Sequence, residues 1–261
     1  MMKTGNSEIV VVRDSVELSY KAAELLVRCI SETLSRKEQF SMALSGGSTP
    51  QTLFSLLVED DYFKSTIPWG KIHFFWGDER HVPPQDEQSN YRMANDIMLA
   101  KAHVPTENIH RMPTEQADAG KVAKGYEQEL RQFFDLGADQ LPVFDFNLLG
   151  IGPDGHTASL FPETEALHEN RRLVVANWIE KFQTHRITMT APVLNNAETI
   201  VFLVSGRQKA DILQQILEGE HRPDHLPAQL IRPRQGRLLW LVDQAAASRL
   251  THIKSRISNV E

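Results

Sequence analysis

One local pattern recurs along the chain: a short apolar run of strand length, a turn, and then apolar positions at helical spacing. Parallel strands need long crossover connections, usually helices, so this alternation predicts a mainly parallel sheet. The runs are largely apolar, as expected for strands that are buried on both faces. We therefore predict an α/β fold with a mainly parallel, Rossmann-like sheet and helices on both faces, as a single domain over residues 1–261. The predicted strands are residues 9–12, 40–44, 72–76, 144–149, 173–176, 186–190, 199–204 and 238–242.

Short polar residues that can cap a helix precede several of the helical patterns. A polar helix with a buried apolar stripe is expected over residues 114–136. A last helix is expected over residues 244–250, with Asp243 as its cap. The other candidate caps are Asp14 or Ser15, and Ser48 or Thr49.

Composition excludes several classes of protein. The net charge of −6 gives no reason to expect nucleic acid or an anionic membrane as a partner, although a few local cations could still bind a small anion. No apolar run reaches 18 residues, and the first residues lack the apolar core of a signal peptide. The single cysteine, Cys29, fits a reducing compartment and lies in a helical apolar pattern, as a small buried hydrophobe would. We expect a cytoplasmic protein.

The turn after residues 144–149 is the most informative segment. It carries Asp154 and His156 between glycines, at the end of a strand that is expected to be buried. Ligands in open α/β sheets bind outside the carboxyl ends of the strands. Residues 150–155 also satisfy the pattern G-x-G-x-x-G, but Pro153 removes a backbone N–H and Pro162 cuts off the helix that should follow. We therefore reject dinucleotide binding.

A second strand end carries Ser45-Gly46-Gly47-Ser48-Thr49-Pro50 before a helical pattern. The start of a helix offers unpaired N–H groups and a positive dipole end, and glycines allow close approach, so this segment could hold a phosphate. It is not a P-loop, because no Gly-Lys-Ser/Thr follows. The alternative is an ordinary tight turn with a Ser or Thr cap, and from the residues alone the two interpretations weigh evenly.

Two further strand ends carry cations. Residues 77–81 place two carboxylates, Arg80 and His81 after a buried strand, although most such charged runs are simply solvated loops. A zinc site built from Asp78, His81 and His156 lacks the usual ligand spacing. Lys209 follows a glycine in the first turn of a predicted helix, where a cation is unfavourable and a bound anion would offset it, although a lone lysine is more often a solvated surface residue.

Taken together, the strand-end motifs resemble, in order and approximate spacing, those of the 6-phosphogluconolactonases, and the resemblance covers nearly the whole chain. It implies hydrolysis of 6-phospho-D-glucono-1,5-lactone to 6-phospho-D-gluconate, the second step of the oxidative pentose phosphate pathway, with no metal or organic cofactor. The partner that it implies is the small sugar-phosphate lactone, and we expect a monomer or a weak dimer. The segments concerned are residues 44–50, 76–80, 150–162, 186–190 with 195–197, 206–210 and 240–243.

A sister family, the glucosamine-6-phosphate deaminases and isomerases, has similar loops. Its histidine segment resembles Gly-His-Ile-Ala-Phe-Asn-Glu-Pro, and the glutamate is thought to assist ring opening. The corresponding position here, five residues after His156, is Phe161, so deaminase chemistry would lack its acid. A non-catalytic sugar-phosphate sensor is the third possibility, and it would have no need for His156.

The lactonase hypothesis gives roles to particular residues. His156 is the candidate general base, because an imidazole can accept a proton from water near neutral pH. Asp154 either orients that imidazole or caps the turn. No G-x-S-x-G elbow exists, and Ser48 and Ser159 are interpreted as cap and turn residues rather than nucleophiles. The candidate residues for binding the phosphate and the other substrate oxygens are Gly46, Gly47, Ser48, Thr49, Arg80, Lys209 and Arg186.

Overall fold

The computed structural model describes residues 7–251, and its centre is a six-stranded sheet in which every neighbouring pair is parallel. A second sheet of three strands is antiparallel. The prediction of a mainly parallel α/β fold is thus confirmed. The strands are β1 (Ser7–Val12), β2 (Phe40–Leu44), β3 (Ile72–Trp76), β4 (Asp78–Arg80), β5 (Phe144–Leu149), β6 (Val174–Ile179), β7 (Thr184–Met189), β8 (Ala197–Val204) and β9 (Arg237–Asp243).

The α-helices fill most of the connections between strands. Asp14 caps the first of them, because its carboxylate accepts the N–H groups of Val16 and Glu17. The fourth helix continues into a π-helical turn, Asn95–Leu99. The helices are α1 (Ser15–Leu34), α2 (Ser48–Glu59), α3 (Asp61–Thr66), α4 (Asn90–Ala94), α5 (Ala119–Phe133), α6 (Ala191–Asn195) and α7 (Ala210–Glu218).

The strand order of the large sheet, β1-β9-β8-β5-β2-β3, fixes where a ligand can bind. From β2 the chain moves through α2 to β3 on one side, whereas β5, β8 and β9 follow one another on the other side. Right-handed crossovers therefore place α1 and α2 on one face and α7 on the opposite face. The direction of winding reverses between β2 and β5, and the crevice at their carboxyl ends is the expected binding position.

The core lies on both faces of this sheet. Every residue of β2 and of β5 is buried, in agreement with the apolar runs that predicted them. The rings of Phe202 and Trp240 stack 3.9 Å apart across β8 and β9. Cys29 is buried near the Thr199 hydroxyl, as expected for a small core residue.

Two local predictions were wrong. The predicted helix 114–136 begins only at Ala119, because Asp118 caps it through the N–H of Lys121. Residues 244–250 form only a short 3-10 turn, Ala246–Arg249, although Asp243 does accept the N–H of Ala246. Residues 78–80, for which a solvated loop was the alternative interpretation, form a strand that pairs with β7. Within residues 7–251, no helix is long and apolar enough to cross a membrane.

Candidate active site

The turn after β5 is built around close contact between a glycine and an imidazole. The N–H of Gly152 donates to the carbonyl of His156 at 2.8 Å, and Gly155, with φ +79°, closes the turn back onto Gly152 at 3.1 Å. A Cβ atom on Gly152 would lie 2.0 Å from Cε1 and Nδ1 of His156. Only glycine therefore leaves room for the ring at this position. No α-helix lies between this turn and β6, consistent with rejecting a nucleotide fingerprint.

Asp154 and His156 form a hydrogen-bonded pair. Nδ1 of His156 lies 2.5 Å from Oδ1 of Asp154, which also accepts the His156 backbone N–H at 3.3 Å. Burial by itself would raise the pKa of the Asp154 carboxyl. Its hydrogen bond to His156 and the charge of His156 together outweigh that effect and lower the pKa from 3.8 to about 2. The ionised carboxylate thus holds the proton on Nδ1. Nε2 is left without a hydrogen bond to any described residue and can accept a proton.

The segment after His156 docks onto the antiparallel sheet. The Ser159 hydroxyl donates to Asp78 at 2.5 Å, and its N–H donates to the Thr188 hydroxyl at 3.3 Å. The amide of Asn177 donates to the Ser159 carbonyl at 3.0 Å. Ser159 is therefore a buried turn residue, as predicted, and Asp78 is its acceptor.

Lys209 contacts the same glycine turn from the end of β8. Its Nζ donates to the carbonyl of Ile151 at 2.8 Å. Burial lowers the pKa of Lys209, whereas the negative charge of Asp154 raises it. Lys209 lies in the 3-10 turn Arg207–Lys209, which leads into α7. The structure therefore places Lys209 beside the turn that carries Asp154 and His156, although these two motifs are far apart in the sequence.

Arg80 and Arg186 are directly opposite each other on β4 and β7. Arg80 donates to the carbonyl of Gln88. Nε of Arg186 is buried and has no hydrogen-bond partner among the described residues, and its guanidinium carbon lies 5.6 Å from the ring centre of Phe182. Burial and the charge of Arg80 lower the pKa of Arg186, against the opposite effect of two nearby carboxylates. Two opposed cations repel, and a bound anion would relieve that repulsion.

The loop from Gly46 to Thr49 presents uncapped backbone N–H groups. α2 begins at Ser48 after Gly47, which has φ +106°, and no side chain accepts the N–H groups of its first turn. The prediction that Ser48 or Thr49 caps this helix was wrong. The structure therefore does not contain the ordinary turn with a Ser or Thr cap. The unpaired N–H groups favour the alternative interpretation, an anion cradle.

Positions in the sheet relate these groups to one another. The turns that carry His156 and Lys209 follow adjacent strands, β5 and β8, and the loop from Gly46 follows β2 on the other side of β5. The ring of Phe161, which stacks on His156, meets the ring of Phe182 beside Arg186, with centroids 5.9 Å apart. Sequence reasoning missed Phe182, because a half-exposed aromatic residue between two strands carries no local signal.

The groups considered for a metal ion do not meet. Nε2 of His81 pairs with the carbonyl of Gln116 at 2.7 Å, whereas Asp78 and His156 have the partners described above. No three or more His, Cys, Asp or Glu side chains within residues 7–251 are grouped so that they could hold a metal ion.

Comparison with known proteins identifies the family. A family model described as glucosamine-6-phosphate isomerases/6-phosphogluconolactonase matches residues 13–240. The chain belongs to this family. It is similar to a 6-phosphogluconolactonase of Synechocystis, with 44% identity over 85% of this chain and 89% of that protein.

Solved structures support both the family and the fold. A 6-phosphogluconolactonase from Trypanosoma cruzi superposes with a TM-score of 0.82 and 30% identity, covering 94% of this chain and 97% of that one. A monomeric glucosamine-6-phosphate deaminase superposes with a TM-score of 0.77 and 22% identity, covering 93% and 99%. The deaminase shares the fold, so the chemistry must be argued from the site.

Proposed function

We propose that this enzyme hydrolyses 6-phospho-D-glucono-1,5-lactone to 6-phospho-D-gluconate, with His156 as the general base. The observation that carries the proposal is the Asp154–His156 pair, in which Asp154 fixes the proton on Nδ1 and Nε2 stays available. A carboxylate that orients a catalytic histidine generally fixes the tautomer of the imidazole in this way.

In the first step, Nε2 of His156 takes a proton from water while the water oxygen bonds to the lactone carbonyl carbon. The carbonyl oxygen becomes an oxyanion, and the ionised Asp154 stabilises the imidazolium that forms. In the second step, the carbonyl re-forms and the bond to the ring oxygen breaks. The imidazolium returns its proton to that ring oxygen, which becomes a hydroxyl, and the new carboxyl group loses its proton to solvent.

The phosphate is held by Arg186 together with the uncapped N–H groups from Gly46 to Thr49. Arg186 is favoured because its Nε is buried and unpaired, whereas Arg80 and Lys209 already donate to carbonyls. Arg80 and Lys209 bind the remaining anionic oxygens, including the oxyanion. Measuring the affinity for inorganic phosphate and kcat for each of the three cation-to-methionine variants assigns these roles.

Phe161 argues against deaminase chemistry at this site. Its apolar ring lies against His156, at the position where the sister family is thought to place a glutamate. A sensor would not require a histidine whose tautomer is fixed by a carboxylate. Both alternatives predict no acceleration of lactone hydrolysis.

The direct test is lactone hydrolysis, corrected for the spontaneous rate. The lactone is generated in situ from glucose 6-phosphate by its dehydrogenase, and proton release is followed with and without the protein. We expect an acceleration that disappears in His156→Asn. Release of ammonia from glucosamine 6-phosphate, or binding of 6-phosphogluconate with no acceleration, would support the deaminase or the sensor instead.

Three further properties belong to the proposal. We expect residues 1–261 to behave as one α/β domain with a single cooperative unfolding transition. We also expect a cytoplasmic enzyme that is a monomer or a weak dimer, which light scattering over a range of protein concentrations would test.

A further inference from the structure

A buried carboxylate ties the strand that carries Arg80 to the start of α4. The Glu79 side chain, in a residue only 1% exposed, accepts the N–H groups of Arg80, Asn90 and Tyr91, each at 2.7 Å, and the Ser89 hydroxyl at 3.1 Å. Three of these four donors belong to the start of α4, so the carboxylate leaves those residues little freedom relative to β4.

Asn90, held in this way, reaches the end of β2. Its amide Nδ2 donates to the carbonyl of Asp78 at 3.0 Å, which fixes the orientation of the side chain. Its Oδ1 is buried and has no hydrogen-bond partner in the described part of the chain. A Cβ atom on Gly46 would lie 2.0 Å from that Oδ1 and 2.6 Å from Cγ of Asn90. The amide therefore packs directly against the Gly46 backbone.

The contact joins two sheets. Gly46 begins the cradle loop at the end of β2 in the parallel sheet, and Asn90 is bonded to β4 of the antiparallel sheet, which carries Arg80. An asparagine whose buried oxygen has no partner is a poor choice for packing alone, because an apolar residue would avoid that cost. Its position is explained if the two halves of an anion site must be held at a fixed separation.

We infer that Asn90 is a positioning residue that sets the cradle from Gly46 to Thr49 against β4 and, through the pairing of β4 with β7, against Arg186 for binding the phosphate of the substrate. The inference rests on the proposed function, since it assumes that the cradle and the arginines bind a phosphorylated lactone. Asn90 does not touch the reacting atoms, so its loss acts on affinity rather than on the chemical step.

The test is a double-mutant cycle of Asn90→Ala and Gly46→Ala, measured by kcat, KM and the Kd for 6-phosphogluconate. Gly46 has no positive φ, and the three atoms nearest to an added Cβ all belong to Asn90, so the cost of Gly46→Ala comes from this contact. We expect Asn90→Ala to raise KM and Kd about 5- to 20-fold with kcat changed less than about 3-fold. Gly46→Ala should raise Kd more than Asn90→Ala does. Removal of the Asn90 side chain makes room for the added methyl group, so the Kd of the double variant should be close to that of Asn90→Ala alone.

Asn108→Ala is the matched control. Asn108 is also a buried asparagine that donates to backbone carbonyls, those of Gly70 and Ile72, but it lies at the opposite end of β3. It should lower the thermal stability and leave KM unchanged. If Asn90→Ala does not fold, Asn90→Ser replaces it in the cycle.

Additive effects on Kd of the two substitutions, or an unchanged KM in a folded Asn90→Ala protein, would overturn the inference. An equal loss of kcat/KM for glucono-1,5-lactone, which has no phosphate, would also overturn the inference. A residue that positions the phosphate site should not affect hydrolysis of that substrate. Failure of the proposed function is seen separately, as wild-type protein that does not accelerate hydrolysis of the phosphorylated lactone, whether or not it binds 6-phosphogluconate.

Discussion

The ring of Phe161 stacks on the imidazole of His156, with ring centres 4.0 Å apart and planes inclined by 27°. One face of the candidate base is thus covered by an apolar ring, and one edge is fixed by Asp154. The imidazole can present Nε2 in only a narrow range of directions. Orientation of this kind is what a general base needs, since a small misplacement of the accepting atom is costly.

Phe161→Ala should lower kcat about 10-fold with a smaller change in KM, because the imidazole loses its apolar support while the phosphate contacts remain. Phe161→Tyr keeps the stacked ring and should retain most of the activity. Steady-state kinetics of both variants, with circular dichroism to establish folding, provide the measurement. Equal activity of the two variants would show that the stacking contact has no catalytic role.

His156→Asn should lower kcat by about 10²- to 10⁴-fold, the usual contribution of a general base, and leave the Kd for 6-phosphogluconate within a few-fold of the wild-type value. His81→Asn is the control, because the hydrogen bond that the His81 ring makes within residues 7–251 is with the carbonyl of Gln116, outside the Asp154–His156 pair. Calorimetry and the corrected lactone assay measure the two quantities. Near-normal turnover in folded His156→Asn would exclude the general-base assignment.

Asp154→Asn should lower kcat and also change how stability depends on pH. In the folded protein the pKa of Asp154 is about 2, below its ordinary value of 3.8. Between these two pH values the unfolded state therefore binds more protons than the folded state. The stability contributed by ionised Asp154 is complete above about pH 4 and is lost as the pH falls towards about 2.

Urea unfolding between about pH 5 and 2 measures this effect. The free energy of unfolding of the wild-type protein should fall more steeply over that interval than that of Asp154→Asn. Parallel curves would mean that the Asp154–His156 hydrogen bond does not lower the pKa of the carboxyl in solution.

Arg186→Met should stabilise the unliganded protein by about 1 kcal/mol, because it removes a buried unpaired Nε and the repulsion with Arg80. Affinity for 6-phosphogluconate should fall about 10- to 100-fold. Thermal unfolding with and without 6-phosphogluconate tests both effects, since a ligand raises Tm only if it binds the folded state. Arg171→Met, at an exposed arginine, should change neither quantity; a destabilised Arg186→Met protein would contradict the argument.

Gly152→Ala should destabilise the protein by about 1–3 kcal/mol and abolish most turnover, because the new methyl group would occupy the space of the His156 ring. Gly125 is the contrasting position: it lies within α5, and no atom is within 4 Å of an added Cβ. Gly125→Ala should therefore stabilise by about 0.5–1 kcal/mol, through helix propensity alone, with unchanged kinetics. Chemical denaturation of both variants makes the comparison.

Local features of the sequence determined most of the fold. The apolar runs predicted the six parallel strands, because a strand buried on both faces needs apolar residues at nearly every position. The glycine-rich ends of those strands indicated the site, and Asp154 and His156 are only two residues apart, so a turn is enough to bring them together. The helix predicted over residues 244–250 failed because its pattern is short, and the cap residue Asp243 also binds Ser205 and Gly206.

Only the tertiary structure decided the relations between segments that are distant in the chain. The pairing of β4 with β7 places Arg80 opposite Arg186, and antiparallel register between short polar strands has no local signal. Contacts of Lys209 with Ile151 and of Asn90 with Gly46 likewise depend on strand order, which long-range packing sets. The sequence by itself determined which residues could do the chemistry, because residue type and local spacing are encoded locally. Their mutual distances were decided by the packing of two sheets, which no single segment specifies.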